Sequence, residues 1–122
     1  MATLCNYKFT SIALIDNQEE KTNFIAKGYK DTQEGHLVLY FKNENEYKFL
    51  VSKDSLVVNV NKSQYTFDLT KKTEAIINND GYSFKASINT EKLVITDNAI
   101  YIRYEIDFIS FKASYTINLE LL

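Results

Sequence analysis

The sequence predicts an all-β chain: one antiparallel barrel of about ten strands joined by short hairpin loops. Three observations predict it. Ile, Val, Thr, Tyr and Phe supply 45 of the 122 residues, and these stiff or aromatic side chains suit a pleated surface. Apolar residues recur at every second position, so one face of each extended segment is apolar and the other wet. Clusters of Asn, Asp, Gly, Ser and Lys interrupt the pattern at short intervals, as hairpin turns require.

The alternation places strands near residues 4–15, 22–30, 36–42, 46–52, 55–60, 64–70, 82–90, 91–96, 99–107 and 111–121. In the third, Leu37, Leu39 and Phe41 alternate with Val38 and Tyr40; in the fourth, Tyr47, Phe49 and Val51 alternate with Lys48 and Leu50. The fifth and sixth carry Leu56, Val58, Val60 and Tyr65, Phe67, Leu69 on their apolar faces. In the last, Phe111, Ala113, Tyr115, Ile117, Leu119 and Leu121 oppose Lys112, Ser114, Thr116, Asn118 and Glu120. A helix would smear both sets around its circumference. Residues 71–78 fit a helical turn, a closing loop or a further short strand leading into the hairpin at Asn79, Asp80 and Gly81, where Gly81 is the turn glycine. Loops of about two to five residues make successive strands antiparallel, because a parallel pair needs a crossover of roughly a dozen residues. Keeping each strand beside its sequence neighbour favours a barrel over a sandwich. Closure also removes edges in a chain that has no proline to blunt them.

The length fits one domain, residues 1–122, with a core that needs no metal or disulfide staple. Cys5 is the single cysteine, so no internal disulfide forms. Neither a signal-peptide pattern nor a long apolar span is read, which makes a cytoplasmic protein with no membrane partner the expectation. A net charge of -2, with lysines scattered over turns and both faces, argues against nucleic acid. The Asn- and Lys-rich, Trp-free composition reads as A/T-rich codon usage of the kind found in low-GC bacteria rather than as the demand of a site.

Four segments in succession, NFIAKGY (23–29), GHLVLYF (35–41), NDGYSF followed by NTEKL (79–84 and 89–93) and IYIRY (100–104), cover nearly the whole chain. Their order and spacing resemble the YwiB-like family of small uncharacterised proteins of low-GC bacteria. The resemblance implies a calycin-type barrel, lipocalin-like in shape, and no particular activity. One departure stands out: LVVNVNK (56–62) lacks the Arg and Gly that close the middle strand in the family pattern.

Candidate sites are few. His36, the only histidine, reads as a surface ring, since no ligand-spaced partner accompanies it. Cys5 reads as a small half-buried thiol. Glu105 and Asp107 have the spacing of paired carboxylates but fall on a face expected to be wet. Arg103, the only arginine, is one end of a surface ion pair, a ligand contact or an intersubunit contact. Aromatic residues on the inner faces either fill the barrel or line a cavity, and Tyr65, Tyr82, Tyr115 and Arg103 are the candidate ligand-lining residues. Phe108, Ile109 and Phe111 occupy a hairpin tip where polar residues belong, which marks a candidate interface. The expectation is a non-enzymatic protein without a cofactor that binds a small apolar or amphipathic molecule. The alternative is a homo-oligomeric structural or regulatory protein whose filled barrel has no ligand.

Overall fold

The two-residue alternation resolves into ten strands: β1 (Thr3–Ile15), β2 (Gln18–Gln33), β3 (His36–Lys42), β4 (Glu46–Val51), β5 (Ser55–Val60), β6 (Ser63–Asp68), β7 (Thr73–Asn79), β8 (Tyr82–Ile95), β9 (Ala99–Asp107) and β10 (Lys112–Leu121). The structure, a computed structural model, describes residues 2–122. Each strand pairs antiparallel with its sequence neighbours, and β1 also pairs with β10, from Tyr7 opposite Leu121 to Ile15 opposite Ala113. The sheet is therefore a closed antiparallel ten-stranded barrel.

The strand map resolves one open segment as a strand and differs from expectation at two points, each with a physical cause. Residues 73–79 form β7, paired with β8 from Thr73 opposite Ile88 to Asn79 opposite Tyr82. The two strands expected at 82–90 and 91–96 are one strand, β8, with a register shift between Thr90 and Lys92. The extra residue reverses which positions face inward, so Thr90 and Leu93 both turn toward the core, and this break in alternation resembles a turn in the sequence. Strand β2 begins at Gln18 because all thirteen residues of β1 are paired to it, despite the polar run QEEKTN at its start. The ladder overrides local propensity there.

Three hairpins turn on two consecutive residues with positive φ, at Asp16 (49°) and Asn17 (64°), Glu34 (51°) and Gly35 (80°), and Asp80 (45°) and Gly81 (84°). These are the left-handed turns whose twist matches the strands they join. Gly28 answers a different need. A Cβ at this position would lie 1.8 Å from the carbonyl oxygen of Tyr40, so β2 approaches β3 as only glycine permits.

Odd-to-even hairpins gather at one end of the barrel, the mouth; the remaining hairpins, the start of β1 and the end of β10 lie at the other, the floor. Tyr7, Phe41, Phe49, Leu56, Phe67, Ile102 and Leu119 are almost fully buried inside. Near the floor the Tyr7 hydroxyl donates to the Tyr29 carbonyl at 2.8 Å. The hollow beside it, between Leu37, Ile95 and Leu121, measures about 20 Å³, room for roughly one water.

Candidate functional site

The mouth is different because β1 and β2 carry small or polar side chains on their inner face there, Ser11, Ala13, Thr22 and Glu20. One rung of the sheet runs Tyr104, Tyr115, Ala13, Glu20 across β9, β10, β1 and β2. A neighbouring rung runs Ile102, Ile117, Ser11, Thr22. Ala13 and Ser11 are too short to reach the opposite wall, so a half-open cup of about 200 Å³ remains between two groups of rings. On one side Phe9, Phe24, Phe41 and Tyr47 interlock, with centroids 5.2 Å apart for Phe9 and Tyr47 and 4.8 Å for Phe41 and Tyr47. On the other, Tyr104 lies 4.7 Å from Phe67 and stacks on Tyr115 at 5.3 Å. Tyr65, opposite Val58 and Ala75, completes the rim.

Tyr104 gives the cup its chemistry. The residue is only 4% exposed, yet among the described residues its hydroxyl has no hydrogen-bond partner. Among the described residues no side-chain oxygen is fully sealed without a partner, so the Tyr104 hydroxyl keeps a little exposure, on a ring that lines the cup. A buried tyrosine ordinarily satisfies its hydroxyl within the protein. Burial, reinforced by Tyr115 and Tyr65, keeps this phenol protonated far above the usual tyrosine range. Burial raises Tyr65 and Tyr115 too, with Tyr115 adding to the first and the Glu20 carboxylate to the second. The cup is thus neutral, aromatic and edged with phenol donors.

The structure divides the residues singled out in the sequence. Tyr65 and Tyr115 line the cup; Tyr82 does not, being 78% exposed. It keeps the inward direction expected of it, but the β7–β8 hairpin projects beyond its pairing with β6 and β9, which also exposes Phe84. Arg103 is likewise corrected as a lining residue: it stands on the outer face, with Nε 3.8 Å from Glu91 Oε1. Glu105 and Asp107 are outer-face groups as well. Lys112 Nζ lies 3.9 Å from Glu105, and Asp107 accepts a 2.9 Å bond from the Ile109 amide. His36 shares a 3.2 Å hydrogen bond with Ser52 on the outer face, and Cys5 is half-buried beside the core. Among the described residues no group of three or more His, Cys, Asp or Glu is gathered as metal ligands, and no helix is long and apolar enough to cross a membrane.

At the apolar tip, Phe108 packs inward, stacks on Phe111 at 4.8 Å and reaches Phe84 at 6.4 Å. Ile109 is 94% exposed and held at a φ of 76°, an outlier for a β-branched residue. Sequence reasoning found the inward direction of Tyr47 and Tyr104 but not Ser11, Thr22 or Glu20. The one available signal was polar residues on the inward positions of the β1–β2 ladder.

Fold and site together define a small closed β-barrel with a neutral aromatic cup at its mouth. The chain is similar in structure to the YwiB protein of Bacillus subtilis, with a TM-score of 0.74 and 16% identity over 99% of this chain and 93% of that one. No family model and no curated protein matches the chain.

Proposed function

We propose that this chain is a cytoplasmic YwiB-like protein of calycin type, from a low-GC bacterium, that binds a small amphipathic molecule in the mouth cup and performs no chemistry on it. The carrying observation is the Tyr104 hydroxyl, held on a buried ring that lines the cup and without a hydrogen-bond partner among the described residues. A ligand ring or short alkyl group between the aromatic walls, with one polar atom on Tyr104, supplies what the protein leaves open. The cup is smaller than the roughly 300 Å³ at which drug-sized pockets begin, so the guest is a single ring or a compact head group. Similarity to YwiB supports the family reading through its fold.

A second reading rests on the hairpin tip. Ile109 at 94% exposure beside Phe111 at 42% and Phe84 at 46% makes an apolar corner that a second copy of this chain would cover. Native mass spectrometry of protein purified from its own cells separates the two. A retained small molecule supports the binding reading, a bare dimer supports assembly, and a bare monomer contradicts both.

A further inference from the structure

Resting on the binding reading above, we propose that the cup selects a small organic cation, an alkylammonium head, over neutral or anionic molecules of the same shape. The first ground is composition: seven of the twelve side chains that line the cup are aromatic and none is charged. Aromatic rings attract a cation through their quadrupoles, and more strongly when water is excluded. The second is placement of charge. Glu20 stands on the rim opposite Ala13, which stands opposite Tyr115, and the Ala13 methyl leaves nothing bulky between carboxylate and ring. Among the described residues no Lys or Arg forms an ion pair with Glu20. An anion entering here would face that carboxylate with no cation to receive it. The third is the Tyr104 hydroxyl, carried on a lining ring and without a hydrogen-bond partner among the described residues, whose lone pairs suit an N–H donor or the positive flank of a methylated nitrogen. A volume of about 200 Å³ exceeds the roughly 150 Å³ that accommodates benzene, so a trimethylammonium head fits.

The test titrates the full chain, observed by amide NMR, with three probes of one shape: choline, its neutral carbon analogue neohexanol, and the anion tert-butylacetate. Choline is expected to bind about tenfold more tightly than neohexanol and to shift Ser11, Thr22, Tyr104 and Tyr115, with tert-butylacetate the weakest. In Glu20→Gln, an exposed substitution, choline affinity falls about threefold and more at low salt, while neohexanol is unaffected. Equal affinity for choline and neohexanol overturns the cation selectivity and leaves the cup a binding site. No shift at the cup with any of the three overturns the binding reading together with it.

Discussion

Removing the hydroxyl from Tyr104 and from Tyr7 is the same chemical change at two buried rings, and the structure gives the two substitutions opposite consequences. Tyr7 is 1% exposed and donates to the Tyr29 carbonyl at 2.8 Å. Tyr7→Phe removes that bond and leaves the carbonyl short of a partner, a loss of about 1–2 kcal/mol. Tyr104 is 4% exposed and has no hydrogen-bond partner among the described residues to lose. Tyr104→Phe keeps the contacts with Phe67 and Tyr115 and deletes only a poorly solvated hydroxyl, so its effect is between zero and a gain of about 1 kcal/mol. Urea unfolding followed by circular dichroism measures both, with an unchanged m-value expected because the same surface is buried. The same Tyr104→Phe protein loses affinity for any cup ligand that uses the phenol. Destabilisation of Tyr104→Phe as large as that of Tyr7→Phe would show that the hydroxyl is engaged within the protein, and the ligand argument built on it would fall.

Gly28→Ala places a Cβ 1.8 Å from the Tyr40 carbonyl oxygen and 2.8 Å from the Phe41 Cα, both backbone atoms that cannot swing aside; a loss above about 4 kcal/mol or failure to fold is expected, and a soluble variant with unchanged urea midpoint contradicts the close approach. The phenols of Tyr7, Tyr65, Tyr104 and Tyr115 are all raised above 10 by burial first. Their contribution to stability is complete below about pH 10, where unfolded phenols stay protonated, and is lost as pH rises above it. Absorbance at about 295 nm therefore gains its last component only with alkaline unfolding, and that component shrinks in Tyr104→Phe; complete ionisation of a folded barrel would refute this. Ile109→Gly relieves a β-branched residue at a φ of 76° and raises monomer stability by about 0.5–1 kcal/mol in thermal unfolding, a net of strain removed against glycine entropy. A fall in stability together with loss of a native dimer would favour the assembly reading instead.

Much of the barrel was legible because strand parity is a local property. Ala113, Tyr115, Ile117, Leu119 and Leu121 show it in β10, and the turn residues Asp80 and Gly81 fix where β7 meets β8. What the sequence hid was where the ladder overrides the pattern. The β8 bulge reads as a turn, since alternation fails at a bulge and at a turn alike. Tyr82 points inward as its position demands, but a strand does not announce how far it projects beyond its neighbours. Glu20 fell outside the expected second strand because the polar run at the start of β2 is held extended only by β1. Tyr65 and Tyr115 were found by parity alone, whereas the emptiness between them comes from Ala13 and Ser11 on a third strand, a relation set by register rather than by spacing.

The most direct measurement is a high-resolution crystal structure of the chain grown without added small molecules. The account predicts ordered water or a retained guest between the Phe9–Tyr47 and Phe67–Tyr104–Tyr115 walls, within hydrogen-bond distance of the Tyr104 hydroxyl. Walls closed onto each other, with that hydroxyl bonded to a protein group, would contradict it.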